Sequence, residues 1–195
     1  MKSLFLSSLL ALGLLAVPAQ AAEYPAKPIT LMTAFNAGGG SDVSHRLLEK
    51  FAKGVFDQPI VVTYKAGAGG EIGWTWLVGA KADGYTIGGV DLPHIVLQPM
   101  LRPEGQPGYK TEQLSPLCGL VYDADVVMVP EDGPYKTFKD LIGYAKANPG
   151  KVKVATVGKL TGDHLFLMQI EKLTGAKFTQ VPYSGSGKAI PALLS

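Results

Sequence analysis

The side chains able to do covalent or metal chemistry are scattered along this chain. His45, His94 and His164 lie far apart, and none has a cysteine or a second histidine at metal-ligand spacing. The string Ser184-Gly185-Ser186-Gly187 does not meet the G-x-S-x-G pattern of a nucleophile elbow. A phosphate loop, G-x-x-x-x-G-K-[ST], is absent. The dinucleotide pattern G-x-G-x-x-G fails where Ile72 and Val43 stand in place of its third glycine. His45, on an early helical turn, reads as a partly exposed residue, whereas His164, at a helix start beside a glycine loop, can face either a ligand or solvent. Asp123 and Asp125 would share one strand face but read as a charged hinge, and Cys118 in its apolar run reads as a buried small residue. No catalytic set, no metal site and no cofactor are expected.

What remains is a chemistry of the backbone. The apolar run from Ile29 ends in Ala34-Phe35-Asn36-Ala37-Gly38-Gly39-Gly40-Ser41-Asp42 and continues into a helical pattern. Unpaired first-turn amides and the helix dipole make such a junction an anion site, and missing Cβ atoms let a ligand approach closely. A tight turn needing positive φ would explain one glycine; three adjacent ones are costly without a purpose. Ser41 or Asp42 is the expected N-cap.

The elements that must position this loop alternate. Strands are expected over 29–35, 59–64, 85–90, 151–157 and 177–183. Helices are expected after Asp42, over 72–80, 137–147 and 163–174, and from about Lys188. Val43, Leu47, Leu48, Phe51 and Val55 fall near one helical face. Thr137 and Asp140 resemble a capping box, and Asn148-Pro149-Gly150 stops that helix. Of Trp74 and Trp76, two apart on a helix, at most one should be core. Tyr64 and Tyr183 each end a strand beside a glycine loop, where they can wall a pocket or pack in the core. The apolar run 117–130 suggests two strands or one crossing strand, a surface loop is expected over 105–108, and a boundary is placed near residue 122. Alternation of this kind implies an α/β fold with parallel sheets and right-handed crossovers, its ligands beyond the carboxyl ends of the strands.

Composition bounds the setting. Met1-Lys2, an apolar run and the small residues before Glu23 form a secretory leader over 1–22, too short to span a membrane as a helix. Cleavage is expected after Ala21 or Ala22, which gives an exported chain. The formal charge is +2, or +1 once Lys2 leaves with the leader, which argues against a nucleic-acid partner. With one cysteine the chain forms no internal disulfide, so 47% hydrophobic residues must stabilise it by ordinary burial. The chain ends inside an apolar helical pattern, so the second α/β half is expected to be incomplete and the sequence either a fragment or the product of a truncated gene.

The strings YPAKPITLMTAFNAGGGSDVSHRLLEKF, YKAGAGGEIGW, KADGYTI and VPYSGSGKAIPALL occur in an order that resembles the extracytoplasmic solute receptors of tripartite tricarboxylate transporters, the Bug family. The resemblance covers residues 24–195. It implies a two-lobed periplasmic binding protein of type II-like architecture, with lobes over 23–122 and 123–195, the second partial. It further implies a monomer that takes a small carboxylate, di-, tri- or aromatic, and passes it to a two-component membrane permease without converting it. Carried over, one jaw of the site is Phe35, Asn36, Ala37, Gly38, Gly39, Gly40, Ser41 and Asp42. The other is Thr156, Gly158, Lys159, Thr161 and Gly162, with Gly69, His164 and Tyr183 beside them. Ala34, Tyr64, Ala66, Lys159 and Lys188 depart from the usual family pattern and leave the ligand open. A sensor for a membrane signalling kinase and an exported hydrolase are the other classes carried.

Overall fold

The computed structural model describes residues 23–102 and 108–195. The leader expected over 1–22 lies outside the described residues, as does the expected loop 105–108 apart from Gly108. Strand β1 (Ile29–Thr33) is central to a parallel sheet, flanked by β2 (Ile60–Tyr64) and β3 (Thr86–Gly88). Leu31 stands opposite Val62 on one side and Ile87 on the other. Helix α1 (Gly40–Ala52) links β1 to β2. Helix α2 (Glu71–Val78) links β2 to β3, and α3 (His94–Leu101) follows β3. A second parallel pair, β4 (Val152–Thr156) and β5 (Phe178–Pro182), is joined by α5 (Gly162–Thr174). It is preceded by α4 (Phe138–Ala147) and followed by α6 (Ser186–Leu194).

Both faces of the first sheet are covered, as a parallel sheet requires. Ile29, Leu31, Ala52, Ile60 and Val62 pack on the α1 side with Leu48. On the other side Met32, Ala34, Phe35, Trp74, Ile95 and Tyr109 form a second cluster. Val157, which follows β4, also packs against that cluster, so the two sheets share apolar contact directly beneath their strand ends. Trp74 is fully buried at its centre, edge-on to Phe35, His94 and Tyr109 at 5.9–6.3 Å, and its indole N–H donates to the Gly89 carbonyl at 3.1 Å. Each edge-on pair adds about 0.5–1.5 kcal/mol beyond area burial. Trp76 is exposed, so one tryptophan alone is core, as the spacing predicts.

Three expectations give way. The run 117–130 forms no strand: it has no regular secondary structure and is mostly exposed, because among the described residues no strand offers it a ladder partner. Cys118 within it is exposed rather than buried for the same reason. The expected apolar face of α1 also points outward. Val43, Leu47 and Phe51 are 50% or more exposed, and only Leu48 and Ala52 of its apolar residues reach the sheet. Polar residues occupy the rest of the inward face, since that face borders the strand ends described next.

Candidate functional site

All the glycine loops lie at the carboxyl ends of parallel strands, the usual ligand edge of such sheets. The loop after β1, residues 34–39, meets the loop after β5, residues 183–185. Asn36 N–H donates to the Ser184 carbonyl at 3.1 Å, and its side-chain amide donates to Ser184 Oγ at 2.5 Å. Gly40 N–H donates to Ser186 Oγ at 3.3 Å. The approach is close enough that a Cβ on Gly187 would overlap the Ala37 carbonyl oxygen, so only glycine fits there. A second crossing lies alongside. A Cβ on Gly158 would stand 2.9 Å from Gly69 Cα, and one on Gly69 would stand 3.0 Å from the Lys159 carbonyl oxygen.

Helix α1 begins at Gly40 with Gly39 as its N-cap, so neither Ser41 nor Asp42 takes that position. Gly39 has no side chain to cap the first turn; Ser186 Oγ takes the Gly40 amide, and among the described residues no side chain takes those of Ser41 and Asp42, which suits this end to an anion. Asp42, in the first turn, folds back instead. Its carboxylate accepts from Gly38 N–H and from Tyr64 O–H, both at 2.7 Å, and pairs with Arg46 at 3.3 Å. Burial alone would raise the Asp42 carboxyl, but these donors together outweigh burial and hold it below the usual value. Tyr64 is therefore a brace of this loop rather than a free pocket wall. Ser41 Oγ donates to Asp91 at 3.0 Å.

The loop after β4 repeats the device. Asp163, in the first turn of α5, accepts from Val157 N–H at 2.6 Å, and its other carboxylate oxygen shares the single Thr161 hydroxyl proton with the Gly158 carbonyl. Thr156 and Thr161 are almost fully buried, and their hydroxyls bond inside the loop: Gln180 Nε2 donates to Thr156 Oγ1, and Thr161 Oγ1 donates to the Gly158 carbonyl, each at 2.7 Å. His164 Nδ1 accepts from Leu160 N–H at 3.0 Å and so shapes the loop. Tyr183 N–H donates to the Thr156 carbonyl at 2.7 Å. The Lys159 side chain is exposed.

His45 is buried, not partly exposed. Its Nδ1 lies 2.6 Å from the Thr33 hydroxyl, and burial lowers its pKa although Asp91 and Asp42 oppose this. The sequence reading also left out Ser184, Ser186, His94 and Gln98. His94 and Gln98 sit one turn apart on α3. His94 Nε2 accepts from Gly162 N–H at 3.2 Å, and Gln98 Nε2 donates to the Gly69 carbonyl at 2.8 Å. A strand-to-loop reading could have found the serines, since their string follows β5. Nothing in local spacing marks His94 or Gln98, whose partners lie 68 and 29 residues away. Among the described residues no group of three or more His, Cys, Asp or Glu could hold a metal ion.

Two parallel α/β units meeting at their strand ends around glycine-opened helices define the class of two-lobed periplasmic binding proteins. The chain belongs to the tripartite tricarboxylate transporter family receptors, TctC, whose family model matches residues 44–195. It is 35% identical over 186 residues to the "UPF0065 protein in gbd 5'region" of Cupriavidus necator, covering 94% of this chain and 56% of that protein. A solved periplasmic transporter superposes with a TM-score of 0.74 at 30% identity, over 88% of this chain and 57% of that one. The periplasmic binding protein BugD superposes with a TM-score of 0.73 at 26% identity, over 88% and 56%. The chain thus spans little more than half the length of these relatives. Among the described residues no helix is long and apolar enough to cross a membrane.

Proposed function

We propose that the whole protein is a periplasmic receptor that captures a small carboxylate and delivers it, unconverted, to a two-component membrane permease. The observation that carries this reading is the meeting of residues 34–39 with residues 184–187 at the uncapped N-terminus of α1. A carboxylate oxygen there would receive first-turn amides of α1 and favourable dipole potential, each charge–dipole contact contributing about 0.3–1 kcal/mol, or up to about 2 when partly buried. Family membership adds the class of ligand by its description, and the lobes would divide near residue 122 after removal of residues 1–21 or 1–22. The sensor and hydrolase readings draw no specific support from the site, because the side chains at the crossing bond to backbone and to one another rather than forming a nucleophile–base pair.

A thermal-shift panel of di-, tri- and aromatic carboxylates against the full-length protein tests capture, since binding raises the melting temperature by mass action. Mass spectrometry of the recovered ligand tests conversion. At least one carboxylate should raise the melt and return unchanged. A panel with no shift, or product that accumulates in proportion to protein, would refute the reading.

A further inference from the structure

We propose that His94 is a pH-sensitive latch between the two sheets, its neutral ring holding the first amide of α5 and its protonation releasing it. The latch stands on the geometry of the His94 ring and the charges around it; only its consequence for a ligand rests on the capture reading. His94 begins α3, which belongs to the first sheet, yet its Nε2 accepts from Gly162 N–H, at the start of α5 in the second, at 3.2 Å. His94 is 8% exposed, and its ring is wedged edge-on to Phe35 and Trp74 at 6.0 and 6.3 Å. Among the described residues Asn36 and Gly40 hydrogen-bond across to Ser184 and Ser186, and the His94 bond is the one that ties α3 to α5.

An Nε2 that accepts must carry a lone pair, so the ring's proton sits on Nδ1. Nδ1 is buried with no hydrogen-bond partner, although the Leu92 backbone favours the protonated ring, and Oε1 of Gln98 one turn along α3 is likewise unpartnered. A second proton would go to Nε2 and turn the acceptor into a donor aimed at another donor. The imidazolium would also face the positive end of the α5 dipole. Asp91, Asp163 and Asp125 are the charged groups that face the ring, from the β3–α3 loop, α5 and residues 117–130, and all three favour the charged form. Burial opposes them and prevails, so the ring's pKa lies below its ordinary 6.5 and the latch is engaged at neutral pH. On acidification the bond is lost, and the three carboxylates then stabilise the released, charged ring.

Long-range 1H–15N spectra of the His94 ring, the Gly162 amide shift and small-angle scattering of the full-length protein, each followed from pH 8 to 4.5, test this without any ligand. The expected tautomer is Nδ1–H. The Gly162 amide should titrate with the ring at a midpoint below 6.5, and the radius of gyration should grow across the same step. His94→Gln offers an uncharged acceptor that cannot titrate, and should hold both readouts flat. His94→Phe keeps the ring's shape without the acceptor and should be expanded already at pH 8. An Nε2–H tautomer, a Gly162 amide indifferent to the ring's titration, or acid expansion undiminished in His94→Gln would overturn the latch. Failure of every carboxylate to bind would refute capture and leave these readouts as they are. With capture intact, affinity for the bound carboxylate should fall about tenfold below the midpoint, the size expected for one lost buried hydrogen bond.

Discussion

Asp42 shows how one side chain can be spent on making a loop rather than on touching a ligand. Its carboxylate collects Gly38 N–H, Tyr64 O–H and Arg46, and the folded-state pKa is lowered because these donors outweigh burial. The lowered pKa sets the sign: the contribution is complete above the unfolded value near 3.8 and is lost as pH falls through the folded one. Asp42→Asn should therefore destabilise the neutral-pH protein by about 1.5–3 kcal/mol and flatten the acid side of its stability curve. Urea midpoints between pH 3 and 7 check this, and an unchanged acid limb would contradict it. Lys159 presents the opposite case. With its side chain in solvent, Lys159→Ala should change the affinity for a dicarboxylate by less than about twofold, as for most exposed lysines. Calorimetry showing a tenfold loss would place that ammonium on the ligand instead.

At the scale of elements, end chemistry decides where helices start. Helix α4 carries the full capping box: Asp140 N–H donates to Thr137 Oγ1 at 3.1 Å, and Thr137 N–H donates to the Asp140 carboxylate at 2.9 Å. Thr137→Ala should cost about 1 kcal/mol, read as a lower melting temperature with no change in ligand affinity. Helix α1 has no such cap: Ser186 Oγ takes its first amide from outside, and Asp42 in its first turn braces Gly38 of the preceding loop. For that reason Gly187→Ala should act on function more than on stability. The added methyl meets the Ala37 carbonyl and pushes the α6 end away from the glycine loop. Carboxylate affinity should drop about tenfold or more, consistent with loss of one or two charge-assisted contacts. Equal affinity in the variant would mean that this crossing does not form the site.

For the molecule as a whole, the uneven distribution of ladder pairing sets the pattern of local stability. Residues 30–32 are paired on both sides, with apolar clusters on both faces of their sheet, whereas residues 117–130 have no ladder and expose Leu117, Tyr122 and Val126 by more than 70%. Hydrogen exchange should accordingly find β1 protected to near the global unfolding free energy and residues 117–130 exchanging close to unprotected rates. Slow exchange across residues 117–130 in this chain would show that the run has found a partner strand.

The order of strands, glycine loops and helices was legible in the sequence, because local periodicity and turn chemistry act within a few residues. The α4 capping box, the single core tryptophan and the parallel α/β class followed from that alone, and so did the glycine loop after Thr33 as a candidate anion site. The tertiary structure decided what depends on distant partners. It buried His45 against Thr33, turned the Val43–Leu47–Phe51 stripe outward, left residues 117–130 unpaired, and joined Asn36 to Ser184 and His94 to Gly162. Each of these needs two segments brought together from different parts of the chain. Spacing along one segment carries no signal of its partner, so burial and hydrogen bonding across the two sheets become readable only once the chain is folded.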